Sequence, residues 1–204
     1  MSRAIITVKQ TNSYWHPLWE RYYLPHFDHT EVMTIESDKH PPSMVTWKFI
    51  THMVNDALDR MLKIHDLVML ADIDEIIVPD PEKYHDLSEY LDCFGGDAIR
   101  TKGYNVVESP EDEPFDIDKP VTSQREYWSR ELLYDKPALT RVPFIYTVGQ
   151  HHCTRIVDRD DDLVLFHLRD ANRASAIKRR STNISGYDER LFASELIPEK
   201  WRII

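Results

Sequence analysis

The chain has 204 residues, enough for one sizeable core and a single large domain. Its 42% hydrophobic and 29% charged content is that of a globular protein, and its net charge of −10 argues against nucleic-acid binding, which needs a basic footprint. Five glycines are few and weigh against glycine-rich phosphate loops, while the two cysteines, Cys93 and Cys153, lack the C-x-x-C spacing of zinc and redox motifs.

In chain order, Ala4–Val8 is a β-branched run that reads as a buried strand. Pro17–Phe27 follows as a helix, with Pro17 suited to its first turn. Glu31–Ile35 reads as a second strand. Pro41-Pro42-Ser43 is a breaker and N-cap before the clearest helix, Met44–Ile64, in which Phe49, Ile50, Met53, Val54, Ala57, Leu58, Met61 and Leu62 form one apolar face. Asp66–Ala71 is a third, wholly apolar strand that stops at Asp72. This strand–helix alternation predicts an α/β fold with a mixed, mostly parallel central sheet flanked by helices.

Further on, Leu87–Phe94 reads as a short helix, Ala98–Val107 as a strand and Glu108–Lys119 as an acidic, proline-containing loop. Pro137–Val142 and Phe144–Val148 are apolar stretches. Gln150–Val157 and Leu163–His167 are expected to pair as a hairpin, with Asp158–Asp162 as its solvated tip. Residues 169–190 read as a basic helix and an irregular tail. The chain has no apolar run long enough to span a bilayer and opens on a strand pattern rather than a signal peptide, so the expectation is a cytoplasmic protein with no transmembrane segment.

Asp72-Ile73-Asp74-Glu75 stands where the third strand ends, and ligands of open α/β sheets bind beyond the carboxyl ends of their strands. If the chain stays extended, Asp72 and Asp74 point the same way. Two adjacent carboxylates repel unless a cation lies between them. Mn²⁺ or Mg²⁺ would relieve the repulsion and bind phosphate oxygens at its open positions. The plainer reading is that both aspartates cap the following turn.

The string Leu67–Pro79, with Asp72-Ile73-Asp74-Glu75 at its centre, resembles the D-x-D-E signature of GT-A-fold glycosyltransferases, in the family-2-like branch of small single-domain enzymes. Trp19–Leu24 before Phe27, Lys136–Arg141, Gly149-Gln150-His151-His152 and Leu165–Arg169 resemble further elements of that group, in the same order along residues 4–180. The chain departs from the pattern at Ile76, where a phenylalanine is usual, at Lys9–Asn12, and in lacking the Glu-Asp pair that supplies the base in many such enzymes.

The resemblance implies one GT-A (Rossmann-like) domain over residues 1–204, with a nucleotide-binding half at 1–80 and an acceptor-side half at 81–204. The end at Trp201–Ile204 is compatible with a cut from a longer polypeptide. It implies transfer from a nucleoside diphosphate sugar, a UDP-sugar for preference, to a hydroxyl of a glycan or glycolipid acceptor. Thr7 and Lys9 would line the base and ribose pocket, and Asp38 would bond base or ribose. Asp72 would lie near ribose and metal, and Asp74 would bind Mn²⁺ or Mg²⁺ directly. His152, ahead of His151 and His167, would complete the metal site.

Arg169, followed by Arg173, Lys178, Arg179 and Arg180, begins the one basic concentration in the chain and would face the diphosphate. Asp170 is the choice for a catalytic base, with Asp112, Glu113 and Glu131 as rivals. Two other readings stay open: a haloacid-dehalogenase-like phosphohydrolase, whose Asp-x-Asp normally sits on the first strand, and a non-catalytic glycan-binding module of the same fold.

Overall fold

Successive side chains of a strand face opposite ways, and the first strand, β1 (Arg3–Gln10), buries both of its faces. Ile5 joins a core cluster with Trp15, Leu18 and Trp19, whereas Ala4 and Ile6 join a second cluster with Ile50, Val54, Ala57 and Leu58. One sheet therefore separates two apolar layers. The structure is a computed structural model and describes residues 1–11, 13–36, 44–172 and 194–202.

The elements follow as α1 (His16–Tyr23), β2 (His29–Ile35), α2 (Met44–Met61), β3 (Leu67–Leu70), β4 (Glu75–Pro79), α3 (Leu87–Cys93) and β5 (Ala98–Val107). Then come β6 (Tyr127–Arg130), β7 (Pro137–Thr140), β8 (Arg159–Asp170) and β9 (Glu195–Leu196). β1 lies between β2 and β3, and both pairings are parallel. The remaining pairings are antiparallel except for β5 with β8. The fold is α/β with a mixed sheet, its parallel order concentrated in β2-β1-β3. On one face α2 covers the parallel strands; each large apolar side chain it buries contributes roughly 1.5–3 kcal/mol.

β6 and β7 both run antiparallel to β5, at Tyr104–Val107 and Ala98–Arg100 respectively. Residues 131–136 between them arch over Gly103. A Cβ at position 103 would collide with Tyr134, so only glycine lets the arch close down on β5. Gly103 also donates its N–H to Asp135 Oδ1 at 2.9 Å and accepts from Glu131 N at 3.1 Å.

β4 pairs with β8 on one side, and α1 supplies hydrogen bonds on the other. The Tyr23 hydroxyl accepts from Ile77 N at 2.8 Å and donates to the Glu75 carbonyl at 3.2 Å. The Tyr22 hydroxyl donates to the Ile77 carbonyl at 2.8 Å. Two tyrosines thus satisfy a strand edge that would otherwise be left open.

Several expectations need correction. The hairpin of Gln150–Val157 with Leu163–His167 does not form: Arg159–Asp170 is one continuous strand, and only an isolated bridge joins Tyr146 to Cys153. The acidic run is held along the strand start instead of at a tip, because Lys83, Tyr90 and Arg159 bond Asp162, Asp160 and Asp161. The helix expected to reach Phe27 ends at Tyr23 and passes into a 3₁₀ turn at Leu24–His26, with Pro25 inside it. The expected Met44–Ile64 helix ends at Met61. β4 and β6 were not anticipated. Residues 37–43, including Asp38 and the Pro-Pro-Ser breaker, lie outside the described residues, as do 173–193 with Arg173, Lys178, Arg179 and Arg180.

Candidate functional site

Residues Ala71–Asp74 carry the chain from β3 to β4, and Ile73-Asp74 is a turn, not the extended segment expected. The turn closes on itself. Glu75 N donates to the Asp72 carbonyl at 3.0 Å, and Asp72 N donates to Glu75 Oε2 at 2.8 Å. Asp72 and Glu75, rather than Asp72 and Asp74, therefore share a side.

The cation between them belongs to the protein. Lys136, at the end of the arch, places Nζ 2.8 Å from Asp72 Oδ2 and 2.6 Å from Glu75 Oε2. Its side chain is 0% exposed. Burial alone would discharge this ammonium, but the Asp72 and Glu75 carboxylates outweigh burial and hold its pKa above the usual lysine value. For Glu75 burial is the main influence: it pushes the carboxyl up to about 8, against the pull of Lys136 and with added repulsion from Asp72 and Asp74.

Asp74 has a different partner. Its Oδ2 lies 3.5 Å from His167 Nε2. The β4–β8 register sets Glu75 opposite His167, and Leu168 N donates to the Asp74 carbonyl at 2.8 Å. Asn105 Oδ1 lies 2.8 Å from His167 Nδ1. Tyr134 stacks on the His167 ring with centroids 3.9 Å apart. Burial raises the Tyr134 pKa, Asp74 and Glu75 raise it further, and a side-chain hydrogen bond with Arg169 opposes them. The β5–β8 register shifts between Asn105 and Val107, so that Asn105 faces His167 but Val107 faces Asp170. A bulge of this kind re-aims side chains, and here it falls at Leu168-Arg169.

β1 approaches from the other side. Ala71 N donates to the Ile6 carbonyl at 3.2 Å, which brings Thr7 alongside the Asp-x-Asp connection. Thr7 is fully buried, and among the described residues its hydroxyl has no hydrogen-bond partner. Lys9 is turned toward α1, with Nζ 3.1 Å from His16 Nδ1.

The adjacent histidines separate. His151 Nδ1 lies 2.8 Å from the Leu133 carbonyl, and its ring meets Tyr134 edge-on. Burial, then the Lys136 charge, lowers its pKa. His152 is exposed and lies 3.5 Å from an Arg100 guanidinium nitrogen. The histidine beside Asp74 is thus His167, not His152. Among the described residues no group of three or more His, Cys, Asp or Glu side chains converges as a metal cage.

Asp170 ends β8 fully buried, with its carbonyl accepting from Glu108 N at 3.1 Å. A buried carboxyl lacks the open face that an acceptor hydroxyl needs, so no base is assigned to it. Of its rivals, Asp112 accepts from Ser109 N at 2.7 Å, and the Glu113 carbonyl accepts from Arg125 at 3.1 Å. Glu131 accepts from Leu133 N at 3.3 Å within the arch.

Arg125, which stands in no motif of the sequence, is buried and ties the acidic loop to the end of β8. It donates to the Ala171 carbonyl at 2.7 Å and lies 3.2 Å from Glu108. A cavity of about 570 Å³, lined in part by Tyr90, Phe94, Arg155 and Asp160, opens at the opposite ends of β5 and β8. Another, of about 350 Å³, lies between α1 and the end of β4. Neither includes the Asp-x-Asp turn. Among the described residues no helix is long and apolar enough to cross a membrane. No protein-family model matches the chain, and no curated protein matches it.

Proposed function

We propose that the protein is a metal-dependent glycosyltransferase of the GT-A type. It moves a sugar from a nucleoside diphosphate sugar, a UDP-sugar for preference, to a hydroxyl of a glycan or glycolipid acceptor. The observation that carries this reading is the pairing of Asp74 with His167 at the carboxyl end of β3, beside an Asp72 already neutralised by Lys136.

The donor set fits a divalent ion: a carboxylate oxygen and an imidazole nitrogen 3.5 Å apart. Mg²⁺-like ions keep several positions for water and substrate phosphate, so a few protein ligands suffice. When bound, Mn²⁺ or Mg²⁺ supplies positive charge for the departing diphosphate.

The remaining work falls to the chain's own side chains. Asp72, fixed by Lys136, offers an acceptor for a ribose hydroxyl. Thr7, fully buried beside the same connection, supports it from the core and offers no face to the nucleoside. Arg169, oriented through Tyr134, adds positive charge for the phosphates. Positioning and charge neutralisation, rather than covalent chemistry, are the main contributions to rate.

The test is UDP release from a panel of UDP-sugars with glycan acceptors. The reading requires release that depends on Mn²⁺ or Mg²⁺ and is lost in Asp74→Ala. Metal-independent release, equal in wild type and Asp74→Ala, would overturn it. Binding of nucleotide without turnover would point instead to a non-catalytic glycan-binding module.

A further inference from the structure

Asn105 and His167 face one another across the β5–β8 pairing, on adjoining strands. The Asn105 amide oxygen lies 2.8 Å from His167 Nδ1. An amide oxygen only accepts, so with Asn105 in this orientation the bond forms only when Nδ1 carries the proton; in the neutral ring the lone pair then falls on Nε2, against the pull of the Asp74 carboxylate on an Nε2 proton. Nε2 is the atom 3.5 Å from Asp74 Oδ2. Asn105 is 1% exposed and His167 5%, so little water competes for the bond.

The ring plane is fixed separately. Tyr134 stacks on it at 3.9 Å with 25° between the planes. Tyr134 can sit there because position 103 is glycine. Orientation and tautomer thus have different sources: the arch sets the ring plane and the asparagine places the proton.

We propose that Asn105 is a positioning residue that holds His167 as the Nδ1–H tautomer and thereby directs Nε2 to the ligand position beside Asp74. The metal half of this inference rests on the reading under Proposed function, and the tautomer half stands without it. Partners of ligating histidines act in this way: they fix the tautomer and raise ligand basicity, and their loss costs roughly 10–100-fold in metal affinity.

The experiment has two readouts on the full chain. Long-range ¹H–¹⁵N correlation spectra of histidine-labelled protein are recorded without metal in alkaline buffer, where histidine rings are neutral. His167 is assigned by comparison with His167→Gln. The proposal predicts an Nδ1-protonated ring in wild type and in Asn105→Asp, whose carboxylate also accepts, and loss of that tautomer in Asn105→Leu. An Nε2-protonated ring in wild type overturns it.

Mn²⁺ binding is then followed by electron paramagnetic resonance. Affinity should fall roughly 10–100-fold in Asn105→Leu and return in Asn105→Asp. Unchanged affinity in a folded Asn105→Leu overturns the positioning role. If Asn105→Leu does not fold, the wild-type and Asn105→Asp spectra decide the tautomer. Failure of wild type to bind Mn²⁺ overturns the metal reading, and the spectra still decide the role of Asn105 on their own.

Discussion

Lys136 and Asp72 are 64 positions apart in sequence, yet the lysine ammonium, wholly removed from solvent, donates to the aspartate at 2.8 Å. The contact fastens the arch to the Asp-x-Asp turn. With Glu75 at 2.6 Å, it joins a buried cation to one buried and one half-buried carboxyl group. Whatever the turn binds, it binds in a geometry that this lysine sets.

Removing the lysine should therefore cost far more than a surface charge would. Lys136→Met leaves the buried Glu75 and the half-buried Asp72 without the ammonium they share, and breaking a buried pair from one side costs about 3–5 kcal/mol. Urea denaturation measures it. A single-variant loss below about 1 kcal/mol, the range of exposed pairs, would contradict the account.

Glu75 also predicts a pH dependence. Its folded-state pKa is raised from 4.5 to about 8, with burial the chief cause. A raised pKa means that the folded state holds the proton more tightly than the unfolded chain does. The stabilisation is complete below pH 4.5 and is lost as pH rises through about 8. The wild-type minus Glu75→Gln difference in unfolding free energy should fall across that window. A difference that stays flat or rises would contradict the burial argument.

The edge of β4 gives a test of how the turn is supported. Tyr23→Phe leaves Ile77 N without its 2.8 Å acceptor inside the core. An unsatisfied buried donor costs about 1–3 kcal/mol. Denaturation gives the energy, and hydrogen exchange should show faster opening at the Ile77 amide. Unchanged exchange there would mean that β4 does not depend on α1.

Arg125 predicts a local effect. It joins the Ala171 and Glu113 carbonyls and lies close to Glu108. Arg125→Leu should release the 108–119 segment, making it the first site of limited proteolysis, while β1–β3 stay protected. Cleavage first elsewhere, with 108–119 intact, would show that the loop is held by other contacts. Tyr14 and Arg21, which donate to the Phe115 and Ile117 carbonyls, are the ones that would then matter.

The first half of the fold was legible because its signals are local. β1 and β3 hold apolar runs, β2 places Val32, Met33 and Ile35 in a short β-branched segment, and α2 shows its buried face at helical spacing. β4 was missed because its Glu-Ile-Ile-Val-Pro was absorbed into the acidic motif before it. β6, Tyr-Trp-Ser-Arg, is too short to show a period. The Asp158–Asp162 run looked like a solvated tip because charge density masks strand character when the counter-ions, such as Lys83, come from far along the chain.

The site divides in the same way. The Asp-x-Asp connection and the late histidines were visible as residue types, but the choice of histidine was not. His151-His152 drew attention by adjacency, whereas His167 reaches Asp74 through the β4–β8 register, which nothing local encodes. Lys136 is visible only as the first residue of the Lys136–Arg141 element, and Asn105 and Gly103 have no separate signal. Their roles follow from an arch and a bulge, two irregularities that periodicity cannot reveal.

The most direct measurement is thermal unfolding with UDP, with Mn²⁺ and with both, in wild type and in Asp74→Ala. Ligand that binds the folded state raises Tm. In wild type the pair together should raise Tm by more than the sum of the separate shifts. In Asp74→Ala, folded like wild type, the metal-dependent part should vanish. An equal combined shift in both proteins, or no shift with UDP or any other nucleoside diphosphate, would contradict the assignment of this turn to a metal-held sugar nucleotide.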